Sequence, residues 1–87
     1  MIKLIKIKPD GDATVRLSFS DGATAHWSGD DYIARDTVMT RPLADPTFFA
    51  RAFIESGALA WPNGFELSAD ALHRRLDAAG ALVRSAA

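Results

Sequence analysis

"TVRLSFSDGATAHW", residues 14–27, carries the pattern on which the fold turns. Val15, Leu17 and Phe19 alternate with Thr14, Arg16, Ser18 and Ser20, the two-residue period of a strand with one buried face. Asp21-Gly22 then supplies a tight hairpin turn. Beyond it the alternation resumes, with Ala23, Ala25 and Trp27 on one face and Thr24 and His26 on the other. Upstream, "IKLIKIK" (residues 2–8) reads as a further strand, with Ile5 and Ile7 on one face and Ile2 and Leu4 on the other. Its lysines suit an edge or half-exposed strand, where charge discourages unwanted pairing. Pro9-Asp10-Gly11-Asp12 is the turn between the two. The first third of the chain is therefore predicted to be a three-stranded antiparallel meander.

The rest of the chain is read from its caps and turns. Residues 28–44 lack a sustained period and are predicted to be an irregular connection with room for a short helical turn, laid over the core because they hold Tyr32, Ile33, Val38, Met39 and Leu43. Asp45-Pro46 marks a helix start, an N-cap acceptor followed by a proline whose missing N–H costs nothing there. The spacing of Phe48, Phe49, Ala52 and Phe53 carries that helix to Ala52 or Phe53. Ser56-Gly57 turns into a short strand, Ala58–Trp61, and Trp61-Pro62-Asn63-Gly64 turns again before Phe65 and Leu67. Ser68 caps a last helix with an apolar stripe at Ala69, Leu72, Leu76 and Ala79. Gly80 is its left-handed C-cap, and residues 81–87 are a frayed tail. The expected architecture is a single α+β domain over residues 1–87: a three-strand meander plus a short C-terminal hairpin, packed with two short helices.

Composition narrows the function classes. Of the 87 residues 48% are hydrophobic and 24% charged, which is globular rather than disordered. With no cysteine, disulfides and thiolate metal sites are excluded. Lysine interrupts the N-terminus too often for a signal peptide, and no run reaches the ~20 apolar residues of a membrane span, so a cytoplasmic protein is expected. The net charge of −1 speaks against generic polyanion binding. Its distribution is uneven, at +2 over residues 1–16, −4 over 17–66 and +1 over 67–87.

No catalytic or cofactor constellation emerges. His26 and His73 lack any metal-ligand spacing, the serines form no nucleophile elbow, and the glycines form no phosphate loop. Asp30, Asp31 and Asp36 match no calcium loop and read as a solvated acidic segment. The candidate interaction surface is Trp61, Asn63, Arg74, Arg75 and Phe48. Trp61 and Asn63 have two readings, a well-formed turn that closes the core or an exposed recognition motif. Arg74 and Arg75 point outward from the last helix and suit an acidic partner. Asp70 to Arg74 and His73 to Asp77 are spaced as helical ion pairs. Phe48 and Phe49 sit about 100° apart on a helix, so one of them borders the surface and offers a dimer contact.

"FSDG" (19–22), "LADPTFFARAF" (43–53) and "WPNGFELSADAL" (61–72), in that order, resemble the bacterial domain-of-unknown-function family 2442. The resemblance implies a small α+β domain, found alone or joined to a helix-turn-helix DNA-binding domain. Standalone members often resemble one half of a two-gene pair, which implies a toxin–antitoxin role for some of them and here an antitoxin-like one. Eleven residues after Leu76 are too few for a helix-turn-helix, and "DDYIARDTVMTRP" (30–42) is longer and more irregular than the family pattern. The expected function is a non-enzymatic protein-interaction or regulatory module without cofactors, partnered by another protein or a second copy. The alternative is a subunit of a nucleic-acid-binding transcriptional regulator, motivated by the basic ends.

Overall fold

The computed structural model describes residues 1–84. Strands β1 (Leu4–Pro9), β2 (Thr14–Phe19) and β3 (Thr24–Ser28) form the expected antiparallel meander. Val15, Leu17 and Phe19 are fully buried, and Ala23, Ala25 and Trp27 join them on the inner face. Each large apolar side chain so buried stabilises the fold by about 1.5–3 kcal/mol.

The alternation expected of the first strand is interrupted. Leu4 pairs with Phe19 and Ile7 with Leu17, and the register shifts between Leu4 and Lys6. A bulge there turns two residues an odd distance apart toward the same face. Leu4 is buried, Ile7 half-buried, and Ile5, expected to share a face with Ile7, is 65% exposed.

Residues 28–44 are not irregular throughout. Helix α1 (Asp30–Arg35) opens on Asp30 and Asp31 and ends at Asp36 in a left-handed conformation. A 3-10 turn, Arg41–Ala44, follows and buries Leu43. Thr37 and Thr40 close the intervening loop, with hydroxyls 2.8 Å apart and each hydroxyl accepting from the other's backbone N–H. Such local hydroxyl–backbone bonds leave no hydrophobic period to read. Gly29 lets α1 start close to the core, since a Cβ there would stand 2.9 Å from the Phe49 ring.

Helix α2 (Pro46–Phe49) begins as expected, with the Asp45 carboxylate accepting from Thr47 N–H at 3.0 Å. It ends after one turn rather than at Ala52 or Phe53. Phe53–Glu55 is instead strand β4, which reaches Ser56-Gly57 and pairs with β5 (Ala58–Ala60). The aromatic and β-branched residues Phe53 and Ile54 favour a strand once a tight turn offers them a partner. β5 also pairs with β6 (Glu66–Leu67), so the expected C-terminal hairpin gains a third strand.

Helix α3 (Ala69–Ala78) is capped by Ser68 Oγ, which accepts from Ala71 N–H at 3.1 Å. It buries Ala69, Leu72 and Leu76. At its end Gly80 (φ 70°) allows Ala81 N–H to donate to Leu76 O and Gly80 N–H to Asp77 O. The following segment is not frayed as far as Arg84. Thr24 and Val83 exchange two backbone hydrogen bonds of 2.9 and 2.8 Å, docking the tail on the free edge of β3. Residues 85–87 lie outside the described residues. Among the described residues the architecture is α+β, two small antiparallel sheets and three short α-helices around one apolar cluster.

Trp61 sits at the centre of that cluster, 1% exposed, with Trp27, Phe49 and Phe65 at ring distances of 6.1, 5.6 and 5.7 Å. Its indole N–H donates to Phe49 O at 3.0 Å. Trp61→Phe removes that donor, leaves Phe49 O with only the longer 3.2 Å bond from Ala52 N–H and opens a void, and should lower unfolding free energy by about 2–4 kcal/mol. Urea unfolding followed by circular dichroism measures it.

Asp21 joins the first hairpin to α3 and the tail. Its carboxylate accepts from Ala23 N–H at 3.0 Å and lies 2.8 Å from His73 Nε2 and 3.6 Å from Arg84. The Ala23 N–H first, and then His73, hold the carboxyl below its ordinary value of 3.8. A lowered folded-state pKa means that this contribution is complete above 3.8 and is lost as pH falls through the folded value. Asp21→Asn should therefore flatten the fall in stability on acidification below that pH, read as denaturation midpoints across an acid titration.

Candidate functional site

The outer face of the first sheet is built from the residues that the inner face leaves over. Register places Lys8 opposite Arg16 and Arg16 opposite His26, and in the next row Lys6 opposite Ser18 and Ser18 opposite Thr24. Because side chains alternate, one strand register puts all these groups on a single surface. Ala81 and Val83 of the docked tail wall it off, leaving a groove of about 640 Å³.

Charge in this groove is not neutralised by its own lining. Lys6, Lys8 and Arg16 line it, and among the described residues none of its lining is acidic. Lys8 directly opposite Arg16 is a like-charge cross-strand pair, an arrangement that destabilises a sheet. Arg16 is held upright at one end of a polar chain. Its guanidinium donates to His26 Nε2 at 3.1 Å, because arginine has no acceptor. That leaves the His26 proton on Nδ1, which faces Asp10 Oδ2 at 3.1 Å. Asp10 also accepts from the Thr14 hydroxyl at 2.8 Å.

A second, smaller groove of about 260 Å³ lies on the other side of β3, among Trp27, Tyr32, Leu72 and Leu76. Tyr32 is clamped there by two arginines. Arg75 donates to its hydroxyl at 2.6 Å, and the Arg35 guanidinium carbon stands 4.6 Å from the ring centre, a cation–π contact. His26 borders both grooves.

The residues expected to form an interaction surface do not come together. Trp61 is core, so its architectural reading holds and its place on a recognition surface does not. Asn63 is also structural, accepting from Phe65 N–H at 3.1 Å and donating to Met39 O at 3.0 Å. The turn itself is well formed, closed by Gly64 N–H to Trp61 O at 3.0 Å with Gly64 at φ 90°. Phe48 is half-buried against the core. Arg74 is exposed, and Arg75 alone of the five lines a groove. The helical ion pairs expected within α3 are replaced by longer-range contacts, a backbone hydrogen bond for Asp70 and ion pairs for His73 and Asp77. Asp70 accepts from Ile2 N–H, His73 meets Asp21, and Asp77 meets Arg84.

Lys6, Lys8, Arg16, Tyr32 and Arg35 were not singled out from sequence as site residues. The signal was present in the outward positions of "KIK" and "VRLS", but only cross-strand register shows that they meet. Asp36 pairs with Arg41 at 2.8 Å, and that contact raises the pKa of Arg41. Among the described residues no group of three or more metal-ligating side chains comes together, and no helix is long and apolar enough to cross a membrane.

Fold and grooves together define a small α+β domain with a cationic sheet face. The chain belongs to the family described as "Protein of unknown function (DUF2442)", whose model matches residues 4–77. No curated protein and no solved structure matches it.

If the Lys8–Arg16 opposition is maintained at a cost to the sheet, Lys8→Thr should relieve it. Unfolding free energy should rise by about 0.2–1 kcal/mol, with the gain shrinking as salt screens the charges. Chemical denaturation at low and high ionic strength measures both effects.

Proposed function

We propose that this protein is a non-enzymatic protein-interaction module whose binding surface is the outer face of the first sheet, and that its partner presents carboxylates there. The observation that carries the reading is the unneutralised trio Lys6, Lys8 and Arg16 on one wall-bounded surface. Like charges held in register destabilise the free protein, and an acidic ligand removes that penalty on binding. Ala81 and Val83 supply apolar contact beside the charges, as a peptide side chain needs and a bare phosphate does not. If the chain is the antitoxin-like member of a two-gene pair, the acidic surface belongs to the neighbouring gene product. In that role the module acts by occupying its partner, in the cytoplasm, without cofactor or metal.

Nucleic-acid binding is the second reading, favoured by the same three cations. Three phosphate contacts give only a shallow salt dependence and weak affinity at physiological ionic strength. No phenylalanine, tyrosine or tryptophan lines this groove to stack on a base.

Calorimetric titration with a poly-glutamate peptide and with a single-stranded oligonucleotide of equal charge separates the two. The peptide should bind, and Lys8→Glu/Arg16→Glu should weaken it by about tenfold or more, the scale of one or two charge-assisted contacts. Tighter binding of the oligonucleotide, or peptide binding indifferent to the charge reversal, overturns the proposal.

A further inference from the structure

The edge of β3 is only half covered. Thr24 directs both its N–H and its C=O away from β2 and spends them on Val83. In an antiparallel strand, residues two apart direct their backbone groups to the same side. His26 and Ser28 therefore face the same edge as Thr24. If the tail continued as a strand, Ala81 would lie opposite His26. Instead its N–H is committed to Leu76 O at 2.8 Å, closing α3, and the tail has left the strand path. Among the described residues no group bonds to the main-chain N–H or C=O of His26.

This short open edge lies between the two grooves. The larger is on the outer face beside the His26 ring, and the smaller is on the inner side among Trp27, Tyr32 and Leu72. A strand added at such an edge sends alternate side chains to opposite faces, and here each face has a recess to receive them. Both recesses are cationic. Lys6, Lys8 and Arg16 line the outer one and Arg35 and Arg75 the inner one, where Asp31 is the single carboxylate.

We infer that the open edge of β3 at His26–Ser28 receives an extended, acidic segment of a partner protein as an added strand, in line with the docked tail. Main-chain bonds to His26 supply the alignment, and carboxylates at successive positions, which point to opposite faces, meet Lys6, Lys8 and Arg16 on the outer side and Arg35 and Arg75 on the inner side. The inference rests on the acidic-partner reading above and adds the manner of binding to it.

The test uses the full chain and a capped peptide of about ten residues built on a Glu-Glu-Val-Val repeat, which presents glutamates on both faces of an extended strand and is long enough for one short strand. Two further peptides carry N-methyl groups at every second residue, one in each frame, which keeps every charge and removes the main-chain donors along one edge. The unmodified peptide should bind, the His26 amide should become protected from hydrogen exchange, and one methylated frame should bind about tenfold weaker or worse. Equal binding of all three peptides overturns the added strand while leaving the charged-face reading standing. Binding by none of them overturns both. Protection of the His26 amide without peptide, accompanied by concentration-dependent self-association in sedimentation, overturns the inference in favour of a second copy of this chain at the edge.

Discussion

The indole N–H of Trp61, 3.0 Å from the carbonyl of Phe49, is the contact on which the packing of this small domain depends. A helix of one turn, Pro46–Phe49, leaves its last carbonyls without intrahelical partners and has little stability of its own. Trp61 takes one of those carbonyls into the core and brings the second sheet with it. Trp27 reaches the same cluster from the first sheet, its ring nearly parallel to Phe49 at 6.4 Å. One buried donor therefore ties both sheets and the helix between them, and the Pro62-Asn63-Gly64 corner exists to aim it.

The outer surface of the first sheet obeys a different constraint. Strand alternation that buries Val15 and Leu17 places Arg16 outside, and the register of β1 then sets Lys8 beside it. The bulge between Leu4 and Lys6 leaves Lys6 and Lys8 on the same outward side. The polar chain from Arg16 through His26 to Asp10 steadies the guanidinium without neutralising its neighbours. A surface with this charge and an open strand edge beside it is suited to holding an extended acidic ligand.

Much of the fold was legible because local chemistry and tertiary structure agree. The Asp45 and Ser68 caps, the Asp21-Gly22 and Trp61–Gly64 turns and the meander all rest on interactions within a few residues. Where they disagree, the reading missed. The Phe48–Phe53 spacing suits a helix as well as a helix followed by a strand, and pairing with Ala58–Ala60 chose the second. Residues 28–44 betray no more than a short helical turn because the contacts that hold α1, such as Tyr32 against Phe65 and Arg75, are distant in sequence. Less of the candidate site was legible than of the fold. Trp61, with its two readings, is core, whereas the charges of the grooves come from lysines and arginines that no local motif marks.

From the sequence alone came the α+β class, the inward sets of β2 and β3, the caps and the absence of disulfides, since composition, two-residue alternation and capping chemistry are local properties. Which cations share a surface, where the tail docks and which edge of β3 stays open depended on the tertiary structure. Those features depend on cross-strand register and on backbone hydrogen bonds between residues some sixty positions apart, such as Thr24 and Val83, which no local pattern encodes.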